Sequence, residues 1–269
     1  MRCLVPVILL ASACGGTETS EMTFAGGELK EFILRITHGS VVVRNPQGDE
    51  KPDLCVVRVT ETGTSKPLGA KERFNVSATK ERLRLRHRRN EPNLRLEILV
   101  ILPKGVNVDV GVRDGGIRLE GKFGLATAIC TSGDVIADPL WAAGGSLKTL
   151  EGKVRVVLKE TTLESNLSCE TIEGEVTLHI PIALRGPVHL YSGSSEIDYG
   201  EEPKMVLRLD PERKNARGVA GPLMTQDQVE VAKRSGRWPP GVWAKSGKGK
   251  VIFRQDGAPA KAKAPPEPK

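Results

Sequence analysis

The residues best placed to do chemistry are cationic. Arg82, Arg84 and Arg86 alternate with Leu83 and Leu85, and Arg88 and Arg89 follow. Alternate residues of an extended chain share a face, so this spacing predicts three guanidiniums in a row on one side of a strand. A guanidinium binds phosphate and carboxylate in a planar, two-pronged way. The row therefore suits lipid head groups, lipopolysaccharide phosphates or an acidic glycan. It equally suits a solvated strand face paired with nearby glutamates, and charge on an edge strand also discourages aggregation.

Other reactive types stand in weaker patterns. Ser77-Ala-Thr-Lys80 matches a Ser-x-x-Lys nucleophile but has no Lys-Thr-Gly partner and lies in a strand-like stretch. His38, His87, His179 and His189 have no thiol or carboxylate at metal-ligand spacing, and His179 alternates onto the wet side of its strand. Asp109 and Asp114 do not have the spacing of a calcium loop. No His-Glu-x-x-His, Gly-x-Ser-x-Gly or phosphate-binding glycine loop occurs. These patterns point away from an enzyme, and no cofactor or metal is expected.

The N-terminus carries an address. Residues 1–14 read MRCLVPVILLASAC, with Arg2 as a positive start, Leu4 to Leu10 as a short apolar core, and Ala11, Ser12 and Ala13 before Cys14. This is the layout of a secretory signal. It also resembles the bacterial lipoprotein signal, although Ala11 stands where that signal prefers Leu. The resemblance implies that Cys14 is lipidated and becomes the first residue of the mature chain. Ordinary signal peptidase would cut at the same bond and leave a periplasmic or secreted protein. Either way residues 1–13 are read as a signal peptide, and residues 14–27 as the anchor cysteine with a flexible tether of small and polar residues.

The chain has 269 residues and a formal charge of +7. Loss of Arg2 with the signal leaves it basic, which favours anionic lipid or acidic polymer; export makes nucleic acid the weakest partner. Five cysteines occur, at 3, 14, 55, 130 and 169. With Cys3 removed and Cys14 lipidated, an odd number remains, so no full disulfide framework is expected. Buried apolar filling is the better reading of those three.

The body must position these residues, and its repeats decide the fold. VRDGGIRLEG at 112–121, CTSGDVIAD at 130–138, KTLEGKVRVVLK at 148–159, CETIEGEVTLHIP at 169–181 and YSGSSEIDYG at 191–200 each place a glycine before an alternating strand. The reference glycines are 116, 133, 152, 174 and 193, with 35–44 and 245–254 as outlying copies. After each glycine, period two is clear: Val154, Val156 and Leu158 face one way, and Arg155 and Lys159 the other. A repeat this short cannot bury its apolar side alone, so copies must stack.

The expectation is an all-β chain forming a β-solenoid or prism-like stack of strand-turn repeats, with an antiparallel β-sandwich as the alternative. Its parts would be a strand-rich opening at 28–111, the repeat stack at 112–200, a closing segment at 201–256 and a disordered tail at 257–269. Within the opening, the apolar run Ile98–Leu102 would be buried on both faces. The closing segment would hold a short helix at 224–236, Trp238 and Trp243 laid on the core, and a final strand. Aligning Thr131, Thr149 and Thr171 puts Cys130 and Cys169 on opposite faces two coils apart. That gap is about 10 Å at strand spacing, against the roughly 6.8 Å that a disulfide spans, so both should be free thiols.

LPKGVNVDVGVRDGGIRLEG, then TSGDVIAD and EGKVRVVL, resembles the bacterial "putative adhesin" family, also described as toastrack-like. The resemblance covers roughly residues 30–200, with 254 as its outer limit. It implies a β-solenoid or prism-like fold, no catalysis, a place at the cell envelope, and an adhesin-like or stress-sensing role with protein partners. It supplies no site residues. The expectation is a cell-envelope lipoprotein attached to a membrane by its N-terminal lipid. It would act as a structural or interaction module toward an unidentified envelope protein or polymer. The alternative is a binding module for anionic lipid head groups or acidic glycans through Arg82, Arg84, Arg86, Arg88 and Arg89.

Overall fold

The computed structural model describes residues 10–11, 18–63, 70–88, 94–184, 186–194, 196–199, 207–209, 214–220, 234 and 240–256. In chain order the first strands are β1 (Leu10–Ala11), β2 (Glu18–Ala25), β3 (Glu31–Arg44) and β4 (Leu54–Thr62). A one-turn helix, α1 (Ala70–Arg73), precedes β5 (Phe74–Ala78), β6 (Arg82–His87), β7 (Arg95–Ile101) and β8 (Asn107–Asp114). The stack continues through β9 (Ile117–Ser132), β10 (Val135–Glu151), β11 (Val154–Leu158), β12 (Leu167–Glu173) and β13 (Val176–Pro181). It ends with β14 (Gly186–Ser192), β15 (Leu207–Leu209), β16 (Asn215–Ala220), β17 (Val242–Ser246) and β18 (Val251–Asp256).

These strands form a parallel coil stack, not an antiparallel sandwich. Each coil climbs one strand, turns at a glycine and leaves on a second strand. On the approach side, β3, β8, the second half of β9, the second half of β10, β12, β17 and β14 lie side by side and parallel. On the departure side, the end of β3, the start of β9, the start of β10, β11, β13 and β18 do the same. A short third side pairs Lys122–Phe123 of β9 with Trp141–Ala142 of β10, which gives each of these coils a prism-like section.

The turn glycines form a column. A Cβ on Gly133 would lie 1.9 Å from the carbonyl oxygen of Gly115, and one on Gly152 would lie 2.2 Å from that of Gly133. Both have φ near +135 to +140°, a region that L side chains avoid. Gly39, Gly115, Gly174 and Gly249 occupy the same column. The turn in the first repeat is thus Gly115 rather than its neighbour Gly116. Both are glycines, and only the backbone distinguishes them. The outlying copies at 35–44 and 245–254 are full members through Gly39 and Gly249. Gly193 instead follows β14 and packs against Gly247.

The chain does not stack in sequence order throughout. After β13 it runs through β14 and β16, then returns so that β17 sits between β12 and β14, and β18 pairs with β13. The approach face is blunted at both ends by antiparallel strands. β5 pairs antiparallel with β6 at one end, and β16 pairs antiparallel with β14 and β15 at the other. Such caps stop the parallel edge from templating further strands.

Inward positions follow period two and are filled by small or branched side chains: Val110, Ala128, Leu147, Cys169, Ala244 and Leu190 form one row across the coils. The run in β7 matches its expectation in part, since Ile98, Val100 and Ile101 are buried while Leu99 is half-buried.

The reading of residues 18–27 as tether is corrected. Residues 18–25 form β2, paired antiparallel with β4 along its whole length, and Met22 and Phe24 are buried. The alternation Ser20, Met22, Phe24 against Thr19, Glu21, Thr23 is the physical cause.

Candidate functional site

The arginine row is built by β6. Leu83 and Leu85 are buried, and Arg82, Arg84, Arg86 and the following Arg88 are exposed, as the alternation requires. β6 lies between parallel β3 and antiparallel β5, so Arg84 is flanked by Ile33 and Ser77, and Arg86 by Arg35 and Asn75. The four are not equivalent. Arg82 is ion-paired to Glu31 across the ladder. Arg35, next to Arg86, is held by the carboxylate and carbonyl of Asp109. Among the described residues, Arg84, Arg86 and Arg88 make no salt bridge. Arg89 and Cys14 lie outside the described residues.

The row ends close to where the N-terminal segment enters the fold. Glu18 faces Glu61 in the β2–β4 ladder. The Glu61 carboxylate holds Arg73 of α1 at 2.8 Å, and both side chains are only 1% exposed. The Arg73 carbonyl accepts the backbone N–H of Arg88 at 2.8 Å. A buried ion pair is costly to break because the surviving charge is left uncompensated, so this junction is firmly set. Ser20 Oγ also accepts the N–H of Ala70 at 3.0 Å, which ties α1 to β2.

The row also belongs to a larger surface. The outer side of the approach face runs from β6 through β3, β8, β9, β10, β12 and β17 to β14. At its far end Trp243 and Tyr191 are 43% and 40% exposed. The His189 ring stacks on Trp243 with centroids 4.1 Å apart, and Lys245 Nζ lies 5.7 Å from the Tyr191 centroid. Trp243 therefore does not lie on the core, because Val242 and Ala244 take the inward positions on either side of it. Trp238 and nearly all of the helix expected at 224–236 lie outside the described residues. Lys148 and Glu170 form a salt bridge at 3.0 Å between the two ends of this surface. Burial would raise the Glu170 carboxyl, but bonds from Ser168 and Lys148 and nearby Lys245 hold it below the ordinary range.

The thiols are structural. Cys55, Cys130 and Cys169 are free and buried. Desolvation pushes Cys169 up to about 12 and raises Cys55 and Cys130. Register aligns Cys130, not Thr131, with Thr149 and Thr171. Cys169 sits two coils from Cys130, but both point inward, contrary to the opposite faces expected from the sequence.

This row of side chains has a function that sequence reasoning missed. Thr149 Oγ1 donates to the Gly133 carbonyl at 2.8 Å, Thr171 Oγ1 to Gly152 at 3.0 Å, Ser246 Oγ to Gly174 at 2.8 Å and Ser192 Oγ to Gly249 at 2.9 Å. Cys130 Sγ does the same to Gly115 at 2.9 Å. Each donor stitches its coil to the corner of the one before. For four of the five the signal was present as a Cys, Thr or Ser three residues before a glycine, at 130/133, 149/152, 171/174 and 246/249; Ser192 lacks it.

The remaining reactive types are engaged locally. His38 Nδ1 is 2.9 Å from Asp114 Oδ2. Ser77 sits opposite Arg84 on β5, and Lys80 pairs with Glu28 at 3.5 Å. Among the described residues, no group of three or more His, Cys, Asp or Glu converges in a way that could hold a metal, and no helix is long and apolar enough to cross a membrane.

No family model matches the chain, and no curated protein matches it. Solved structures do. A "putative cell adhesion protein" from Clostridium sporogenes is similar at 9% identity and a TM-score of 0.44, over 88% of this chain and 100% of that one. A "putative adhesin" from Bacteroides fragilis is similar at 11% identity and 0.38, over 88% and 97%. Another from Parabacteroides distasonis is similar at 8% identity and 0.33, over the same shares.

Proposed function

We propose that this chain is a non-catalytic lipoprotein of the cell envelope, anchored at Cys14, that presents a rigid β stack as a structural or interaction module. The carrying observation is the continuous parallel stack, whose inward rows are filled and whose outward rows stand about 4.8 Å apart from coil to coil. A surface built this way offers repeated single side chains along a flat face, which suits an extended protein or polymer partner. Exposed Trp243 and Tyr191 at one end and the exposed arginines of β6 at the other supply contact chemistry on that face. A second reading, favoured by Arg84, Arg86 and Arg88 having no ion pair among the described residues, is that the arginine end binds anionic lipid head groups or acidic glycans.

The test is cell fractionation of the full-length protein beside the Cys14→Ser variant, with the mass of each mature N-terminus. A diacylglycerol-bearing Cys14 in the membrane fraction, lost in the variant, is the expected result. A chain that keeps Met1 in the cytoplasm would overturn the envelope assignment. A cut but unlipidated chain would leave an exported soluble protein.

A further inference from the structure

We propose that Arg84, Arg86 and Arg88 rest on the anionic head groups of the same membrane that holds the Cys14 lipid, so that the stack is held at two points with its N-terminal end down. This rests on Cys14 being the anchor. The decisive feature is that, once residues 1–13 and with them β1 are removed with the signal, the fold of the mature chain begins at Glu18. Only residues 15–17 separate it from Cys14, and an extended chain covers at most about 3.6 Å per residue. The first folded residue thus stands within roughly 15 Å of the lipid, a distance that keeps this end of the body beside the bilayer.

The arginines sit at that entry point. Glu18 pairs with Glu61, Glu61 holds Arg73, and Arg73 is bonded to Arg88. From Arg88, the exposed side chains of Arg86 and Arg84 follow along β6 in steps of about 7 Å. Lys71 and Arg95 add exposed positive charge at this end, and Glu72 and Glu97 subtract some. The distribution of counter-charge fits a membrane below. Arg82, furthest along β6 from the anchor, is neutralised by Glu31, whereas the three nearer the anchor have no ion pair among the described residues. Lipid supplies the main attachment, and the arginines fix the orientation. Two signals of this kind are what hold a peripheral protein in place.

The test uses the full-length Cys14→Ser chain, which cannot be lipidated, with mixed phosphatidylcholine–phosphatidylglycerol vesicles. Vesicles of phosphatidylcholine alone report what the apolar residues 4–10 contribute. Each basic side chain near an anionic surface changes binding by about fivefold. The Arg84→Ser/Arg86→Ser/Arg88→Ser variant should therefore bind the mixed vesicles roughly a hundredfold more weakly. Its far-UV circular dichroism should be unchanged, because all three side chains point outward. Binding of the parent should also weaken as salt rises. Equal binding to phosphatidylcholine alone, or unchanged binding by the triple variant, overturns the proposal. Binding to a soluble polyuronate without binding to the mixed vesicles also overturns it, while leaving the anion-binding reading of the row intact. Failure of the anchor itself is seen separately, as an unmodified Cys14 in the mass of the wild-type chain.

Discussion

Thr171 carries more of the fold than its size suggests. Its hydroxyl is the donor to the Gly152 carbonyl, a group turned inward at a positive-φ corner, and the side chain is only 3% exposed. Thr171→Val keeps the shape and deletes the donor, so a buried acceptor is left unmet at a cost of about 1–3 kcal/mol. Thr171→Ser keeps the donor and should cost much less. Urea unfolding of the two variants separates these effects, and equal midpoints would remove the hydroxyl from the account. At this scale the sequence was legible where the cause is local. The outward Arg82, Arg84 and Arg86 follow from alternation alone. The Glu31 carboxylate that neutralises Arg82, and the Arg73–Glu61 pair that ties α1 to β4, were not legible. Those partners meet only after distant strands have found their register.

Among the elements, the corners are the least forgiving. Gly152→Ala asks an L residue to hold φ +139° with its Cβ 2.2 Å from the Gly133 carbonyl oxygen. The backbone conformation alone costs about 1–3 kcal/mol, and the clash places the total among the exceptionally large single-residue effects, above about 4 kcal/mol. A soluble Gly152→Ala protein with the parent's thermal midpoint would contradict the glycine column. Strand-turn repeats were readable because each carries its own period-two signal. The errors have specific origins. Adjacent glycines at 115 and 116 look alike in sequence. Ser, Thr and Glu dominate β2, so its composition reads as tether, although Met22 and Phe24 alternate within it. Residue type alone puts Trp243 on the core, and its phase relative to Val242 and Ala244 decides otherwise.

The whole molecule depends on its C-terminal part out of proportion to length. β17 and β18 fill the slot beside β12 and β13, and they bring Val242, Ala244, Val251 and Phe253 into the core. A chain stopped after residue 239 should lose cooperative urea unfolding, because β14 then has no partner on the side that β17 occupied. A chain stopped after residue 256 lacks only the Pro-, Ala- and Lys-rich tail and should keep the parent midpoint. If both truncations behave alike, the inserted pair is not what closes the stack. The sequence could not reveal this insertion, because period counting assumes that neighbours in the chain are neighbours in the stack.

That insertion also dictates an order of assembly. On the proposed export route the chain emerges across the membrane from its N-terminal end onward. The coils from β3 to β13 can therefore settle while the rest of the chain is still crossing. β12 and β13, paired on one side with β10 and β11, must then wait with their other edge open until residues 242–256 emerge. An open strand edge of that kind is the surface on which nascent chains stick to one another. The protein is thus most vulnerable in the interval just before its last strands arrive, when nearly all of its core is already in place.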